Sequence, residues 1–190
     1  MLLEFKPIDV HKKAYPSEVE SLVTKIKYYL SSQMSEEDYY KEFIYMNWGK
    51  KECYPGIKMN KAVLKLAREL KDRFMNLGES CEKYTLFGQY HPLHSYSEFH
   101  KGLFARIRYF VSDNEYYDIN NQVLIAYKEV VELCEKIRLC YMKIGVLKNR
   151  KKDTEIINTL NSIISYAEAV YRREPVILGR IIGLLEHAHV

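Results

Sequence analysis

The chain contains few residues that break regular structure: eight glycines and five prolines in 190 residues, with no long low-complexity tract. With 47% hydrophobic residues it can bury a substantial core, which argues against disorder as its dominant state. It also lacks any apolar stretch near the ~20 residues needed to span a bilayer. The best segment, Val176 to Leu185, is ten residues long and contains Arg180. The N-terminal Met-Leu-Leu-Glu-Phe-Lys-Pro has no long apolar core of a secretory signal, so a soluble, cytoplasmic protein is expected. The four cysteines, Cys53, Cys81, Cys134 and Cys140, form no CxxC pair and read as reduced, mostly buried thiols. No glycine-rich phosphate loop, nucleophile elbow or HExxH is present, and no paired carboxylates stand out. The expectation is a non-enzymatic protein without a cofactor.

No period-two run bounded by hairpin turns occurs, and no internal repeat. What recurs instead is spacing by three and four. Val19, Leu22, Val23, Ile26 and Leu30 follow Ser17 and Glu20, a capping box, and predict a helix over 17–33. Ser35 with Glu36, Glu37 and Asp38 predicts a second, shorter helix ending near Trp48-Gly49. Pro55-Gly56 marks a turn, and Asn60 is placed to cap a third helix that stops at Gly78. Residues 79–95 read as a structured loop. Ser95 and Glu98 then start a helix carrying Phe99, Leu103, Ile107 and Phe110. A long helix is predicted over 119–144 with Tyr127, Val130, Cys134, Ile137 and Tyr141 inward, broken by Gly145 and the basic run at 148–152. Asp153 is placed to cap a helix bearing Ile156, Leu160, Ile163, Ala167 and Val170, which Glu174-Pro175 either kinks or ends. The fold class is all-α: a short N-terminal arm (1–16), then a single-domain helical bundle (17–190) of six or seven helices.

The net charge of +4 is unevenly distributed. Residues 49–110 hold twelve Lys/Arg against six Asp/Glu, residues 1–48 six against eight, and residues 111–190 eleven of each. Within the basic middle third, Lys58, Lys61, Lys65 and Arg68 share one helix face, opposite Met59, Val63, Leu66, Leu70 and Phe74. A second cluster, Lys148, Arg150, Lys151 and Lys152, sits in a predicted interhelical loop. Together they fit a phosphate backbone, and the plainer alternative is a solvated helix face and a basic loop. Seventeen tyrosines include the doublets Tyr28-Tyr29, Tyr39-Tyr40 and Tyr116-Tyr117. Neighbours on a helix diverge by about 100°, so each doublet should turn one ring inward and one outward. Outward rings beside cations can stack bases.

Two smaller constellations bear on chemistry. His91, His94 and His100, with Cys81 nearby, are candidate metal ligands whose spacing matches no common zinc pattern. Arg180 followed after six residues by His187 resembles the metal-independent ribonuclease motif of HEPN domains, which are also helical bundles. Ile181 stands where those motifs place a polar residue. The resemblance implies His187 as general acid or base and Arg180 on phosphate.

The leading expectation is a nucleic-acid-binding accessory or assembly subunit acting on RNA, ribonucleoprotein or single strands. A module docking an acidic protein partner, with possible homo-oligomerisation, comes next. The HEPN-like ribonuclease is third.

Overall fold

The computed structural model describes residues 16–31, 56–77, 90–111, 117–150 and 152–187. These form five helices: α1 (Pro16–Ser31), α2 (Lys58–Leu77), α3 (Tyr90–Val111), α4 (Tyr117–Asn149) and α5 (Asp153–His187). No strand occurs among the described residues, so the all-α expectation holds. None of the described helices is long and apolar enough to cross a membrane.

The expected count of six or seven helices is corrected to five among the described residues. The predicted helix at 35–48 lies outside them, as does the N-terminal arm up to residue 15. Pro175 does not divide the last helix. Its missing N–H releases the Tyr171 carbonyl, but flanking residues such as Val170 and Leu178 are fully buried, and their packing carries the helix through. Gly145 likewise lies inside α4, because Tyr141, Ile144 and Leu147 continue the buried stripe past it. Residues 90–95, expected as loop, form the first turns of α3. The buried side of that helix runs through Leu93, Tyr96, His100, Leu103 and Ile107, leaving Phe99 41% exposed.

α4 and α5 form a long antiparallel pair, each about 50 Å at 1.5 Å per residue. Their turn is closed by the Arg150 and Lys152 amides, which both donate to the Leu147 carbonyl. The Lys152 carbonyl accepts the first bond of α5 from Ile156, so Lys152 rather than Asp153 holds the cap position. Asp153 and Glu155 then sit in the first turn, where the helix dipole favours acids. α3 packs on α4, and α1 and α2 pack on α5. The α1–α2 junction is fixed by the Ile57 amide donating to the Tyr29 carbonyl at 2.9 Å. Gly56 adopts φ 56° there, a left-handed conformation that favours glycine.

One apolar core joins all five helices, with Ile26, Ala67, Ile107, Ile137, Ile163 and Leu178 at 0–1% exposure. Ile163→Ala is expected to cost about 2–5 kcal/mol, measured as a loss of urea-unfolding free energy. A loss under about 1 kcal/mol would contradict this packing.

Candidate functional site

The most unusual feature of the core is a buried carboxylate. Glu174 is 0% exposed, in the middle of α5 and immediately before Pro175. Each of the other four helices sends it a polar group. Tyr29 of α1 donates its hydroxyl to Oε2 at 3.1 Å, and Asn60 of α2 donates Nδ2 to the same oxygen at 2.5 Å. Tyr127 of α4 approaches Oε1 at 3.4 Å, and His100 Nε2 of α3 lies 3.0 Å from Oε1. The Nε2–H is not well aligned for a linear hydrogen bond, so this contact is chiefly an ion pair. Beyond these contacts, Tyr96 donates its hydroxyl to Asn60 Oδ1 at 2.7 Å, and its carbonyl accepts from His100 Nδ1 at 2.7 Å.

The charges follow from this geometry. Burial is the largest effect on His100 and disfavours its charged form. The contacts with Glu174 and Cys134 outweigh it, and the pKa lies well above the ordinary 6.5. The raised value favours the imidazolium, with Nδ1 on the Tyr96 carbonyl and Nε2 facing the Glu174 carboxylate as an ion pair. Burial and the same carboxylate hold the Tyr29 and Tyr127 hydroxyls well above 10. Burial, then Cys134 and Glu174, do the same to Tyr96. These phenols are donors across the working pH range. The cluster is shut off from solvent by Phe99, whose ring meets Tyr29 at 5.1 Å and His100 at 5.4 Å.

Sequence reasoning placed these residues elsewhere. Asn60 is not a helix cap: α2 already begins at Lys58, and the Asn60 side chain points inward. His94 and His100 do not converge as metal ligands. Both lie on α3, His94 exposed and His100 buried, so the helix separates the two proposed metal ligands. Cys81 and the side chain of His91 lie outside the described residues. Among the described residues no group of three or more His, Cys, Asp or Glu could hold a metal. A second polar knot, on the surface, ties α3 to α4. Glu135 accepts from Ser97 at 2.6 Å and from Arg138, with Lys101 at 3.1 Å. The Arg138 guanidinium leads in lowering the Glu135 pKa to about 2.

The cationic face of α2 is exposed at all four positions, Lys58, Lys61, Lys65 and Arg68. Arg68 pairs with Glu168 at 2.6 Å, and Lys65 lies 3.9 Å from Glu69. Among the described residues, no carboxylate comes within 4.0 Å of Lys58 or Lys61. Asn60 lies level with Glu174 and Arg68 with Glu168, so α2 runs antiparallel to α5. The start of α5 lies about 23 Å from the level of Arg68 and about 32 Å from that of Asn60, at 1.5 Å per residue. The basic cluster at the α4–α5 turn is thus about 30 Å along the bundle from Lys58 and Lys61, which lie near the middle of α5. Within that cluster, Lys148 is a half-buried residue of the last turn of α4, Arg150 is exposed, and Lys152 pairs with Glu155 at 2.6 Å. Lys151 lies outside the described residues. Tyr28 is 41% exposed and Tyr29 9%, the split expected for a helical doublet. Tyr28 and Phe99 stand at the same end as Lys58 and Lys61, because Tyr29 contacts both Phe99 and the α2 start.

Arg180 is exposed and lines an open groove of about 560 Å³ between α4 and α5, with Gln122, Val123, Ala126 and Leu184. The side chain of His187 lies outside the described residues.

Two outcomes follow. Because the folded-state pKa of His100 is raised, its contribution to stability is complete below about pH 6.5, the unfolded value. It is lost as pH rises through the folded value, so the urea midpoint should fall on the alkaline side. Glu174→Gln should lose about 3–5 kcal/mol at pH 6 by leaving the imidazolium unpaired, and should flatten that alkaline limb. An unchanged pH profile in the variant would count against the ion pair. Tyr141, by contrast, buries a hydroxyl with no partner among the described residues. Tyr141→Phe should be neutral or stabilising by up to about 1 kcal/mol in the same assay.

The chain matches no protein family, no curated protein and no solved structure.

Proposed function

We propose that the protein is a non-enzymatic nucleic-acid-binding accessory or assembly subunit that takes RNA or a single strand on the outer face of α2. The observation that carries this reading is the exposure of Lys58, Lys61, Lys65 and Arg68 in one row, the first two without a carboxylate within reach among the described residues. The pairs at Lys65 and Arg68 do not remove those side chains from use. An exposed ion pair is worth only about 0–1 kcal/mol, so a phosphate can replace the carboxylate. Tyr28 and Phe99, each 41% exposed at the Lys58 end, offer ring faces for unpaired bases. The cluster at 148–152 joins in only when the strand spans the length of the bundle. A short oligonucleotide is held by α2 alone.

A protein partner is favoured by a different observation. Leu139, Met142 and Val146 on α4 are 46–52% exposed at spacings of three and four, the pattern of a helix-docking stripe.

Fluorescence anisotropy with a labelled ten-nucleotide RNA at several salt concentrations separates the two. Wild type should bind at low salt and weaken as salt rises. Lys58→Glu with Lys61→Glu should reduce affinity by at least about tenfold, while Lys152→Glu has little effect. No binding at low salt, or equal binding by the double variant, would remove the nucleic-acid reading.

A further inference from the structure

Among the described helices, α2 packs its backbone against α5 alone. Its middle and later turns are tied there by Arg68 to Glu168 and by the apolar contacts of Val63, Leu64, Ala67 and Leu70. Its start is held by the Ile57 amide on the Tyr29 carbonyl and, within the first turn, by a polar clamp. Asn60 is 1% exposed and uses both ends of its amide, Nδ2 on Glu174 and Oδ1 under the Tyr96 hydroxyl. Lys58 and Lys61 flank it in sequence and point the opposite way, into solvent.

We propose that Asn60, clamped between Tyr96 and the His100–Glu174 pair, is the positioning residue that holds the start of α2 and the orientation of Lys58 and Lys61, and that loss of the His100 proton loosens it. The groups facing His100 are Glu174 from α5, Cys134 from α4 and Tyr96 and Phe99 from its own helix, while Tyr29 from α1, Asn60 from α2 and Tyr127 from α4 face the same Glu174 carboxylate. Glu174 is the one carboxylate among them. While His100 is charged, one carboxylate oxygen faces the imidazolium and the other is left for Tyr29 and Asn60. Without that counter-charge the buried carboxylate loses the one cation that faces it among the described residues, which weakens the arrangement that Asn60 grips. The apolar α4–α5 pair does not depend on this acceptor, so α2 loosens first.

Hydrogen exchange of the full chain, expressed as protection factors over a pH series rising from about 6.5, the unfolded His value, tests this in wild type, Asn60→Ala and Tyr141→Phe. Asn60→Ala should lower protection in residues 58–66 by about tenfold or more, the equivalent of an unpaired buried partner. The centres of α4 and α5 should stay within a few-fold of wild type. Tyr141→Phe removes a buried hydroxyl that takes no part in the Glu174 cluster and should leave α2 unchanged. Wild type should show the same α2-selective loss as pH rises through the folded-state value of His100, a readout that does not require any variant to fold. Equal loss in all helices, or no loss in α2, overturns the proposal. The binding consequence rests on the reading of α2 as a nucleic-acid face. If wild type binds RNA, Asn60→Ala should weaken it several-fold with Lys58 and Lys61 intact, and unchanged affinity overturns the positioning role. If wild type binds no RNA, that reading fails, and the exchange data alone decide the clamp.

Discussion

A carboxylate taken out of water must be met by charge and hydrogen bonds, and Glu174 imposes that demand on the whole bundle. It is 0% exposed on the central helix, and its partners come one from each surrounding helix: Tyr29, Asn60, His100 and Tyr127. Apolar stripes can pack at neighbouring registers with small differences in energy. A four-sided polar contact at a single carboxylate cannot slide without leaving a buried charge unpaired. The network therefore selects one mutual arrangement of the helices, while Ile107, Ile137, Ile163 and the rest of the apolar core provide the bulk of the stabilisation.

The same arrangement sets what the surface offers. Because Asn60 faces inward, the 100° steps of the helix turn Lys58, Lys61 and Lys65 outward. Because Tyr29 reaches Glu174, Tyr28 stays at the rim beside the start of α2. The cationic face and the aromatic edge meet at the start of α2 through contacts made in the interior. The second basic cluster, at the α4–α5 turn, is held about 30 Å away by the antiparallel run of α2 along α5.

Much of the fold was legible in the residues. The spacings of Val19–Ile26, Val63–Leu70, Val130–Tyr141 and Ile156–Val170 marked four helices and their core-facing sides, because burial repeats with the helix period. The boundaries were less legible. Gly145 and Pro175 read as breaks from local propensity, yet packing on both sides carries the helices through them. The polar core was not legible. Asn60 has the chemistry of a cap, His100 that of a metal ligand, and Glu174 that of a surface acid before a proline. Nothing local distinguishes a polar residue that turns inward from one that faces water.

The sequence by itself determined the all-α class, most of the apolar faces and the row of cations on α2, since each depends on spacing within one helix. The tertiary structure decided the pairing of His100 with Glu174, the inward turn of Asn60 and the separation of the two basic clusters. Those depend on residues 36 to 145 positions apart along the chain, brought together only when the helices pack.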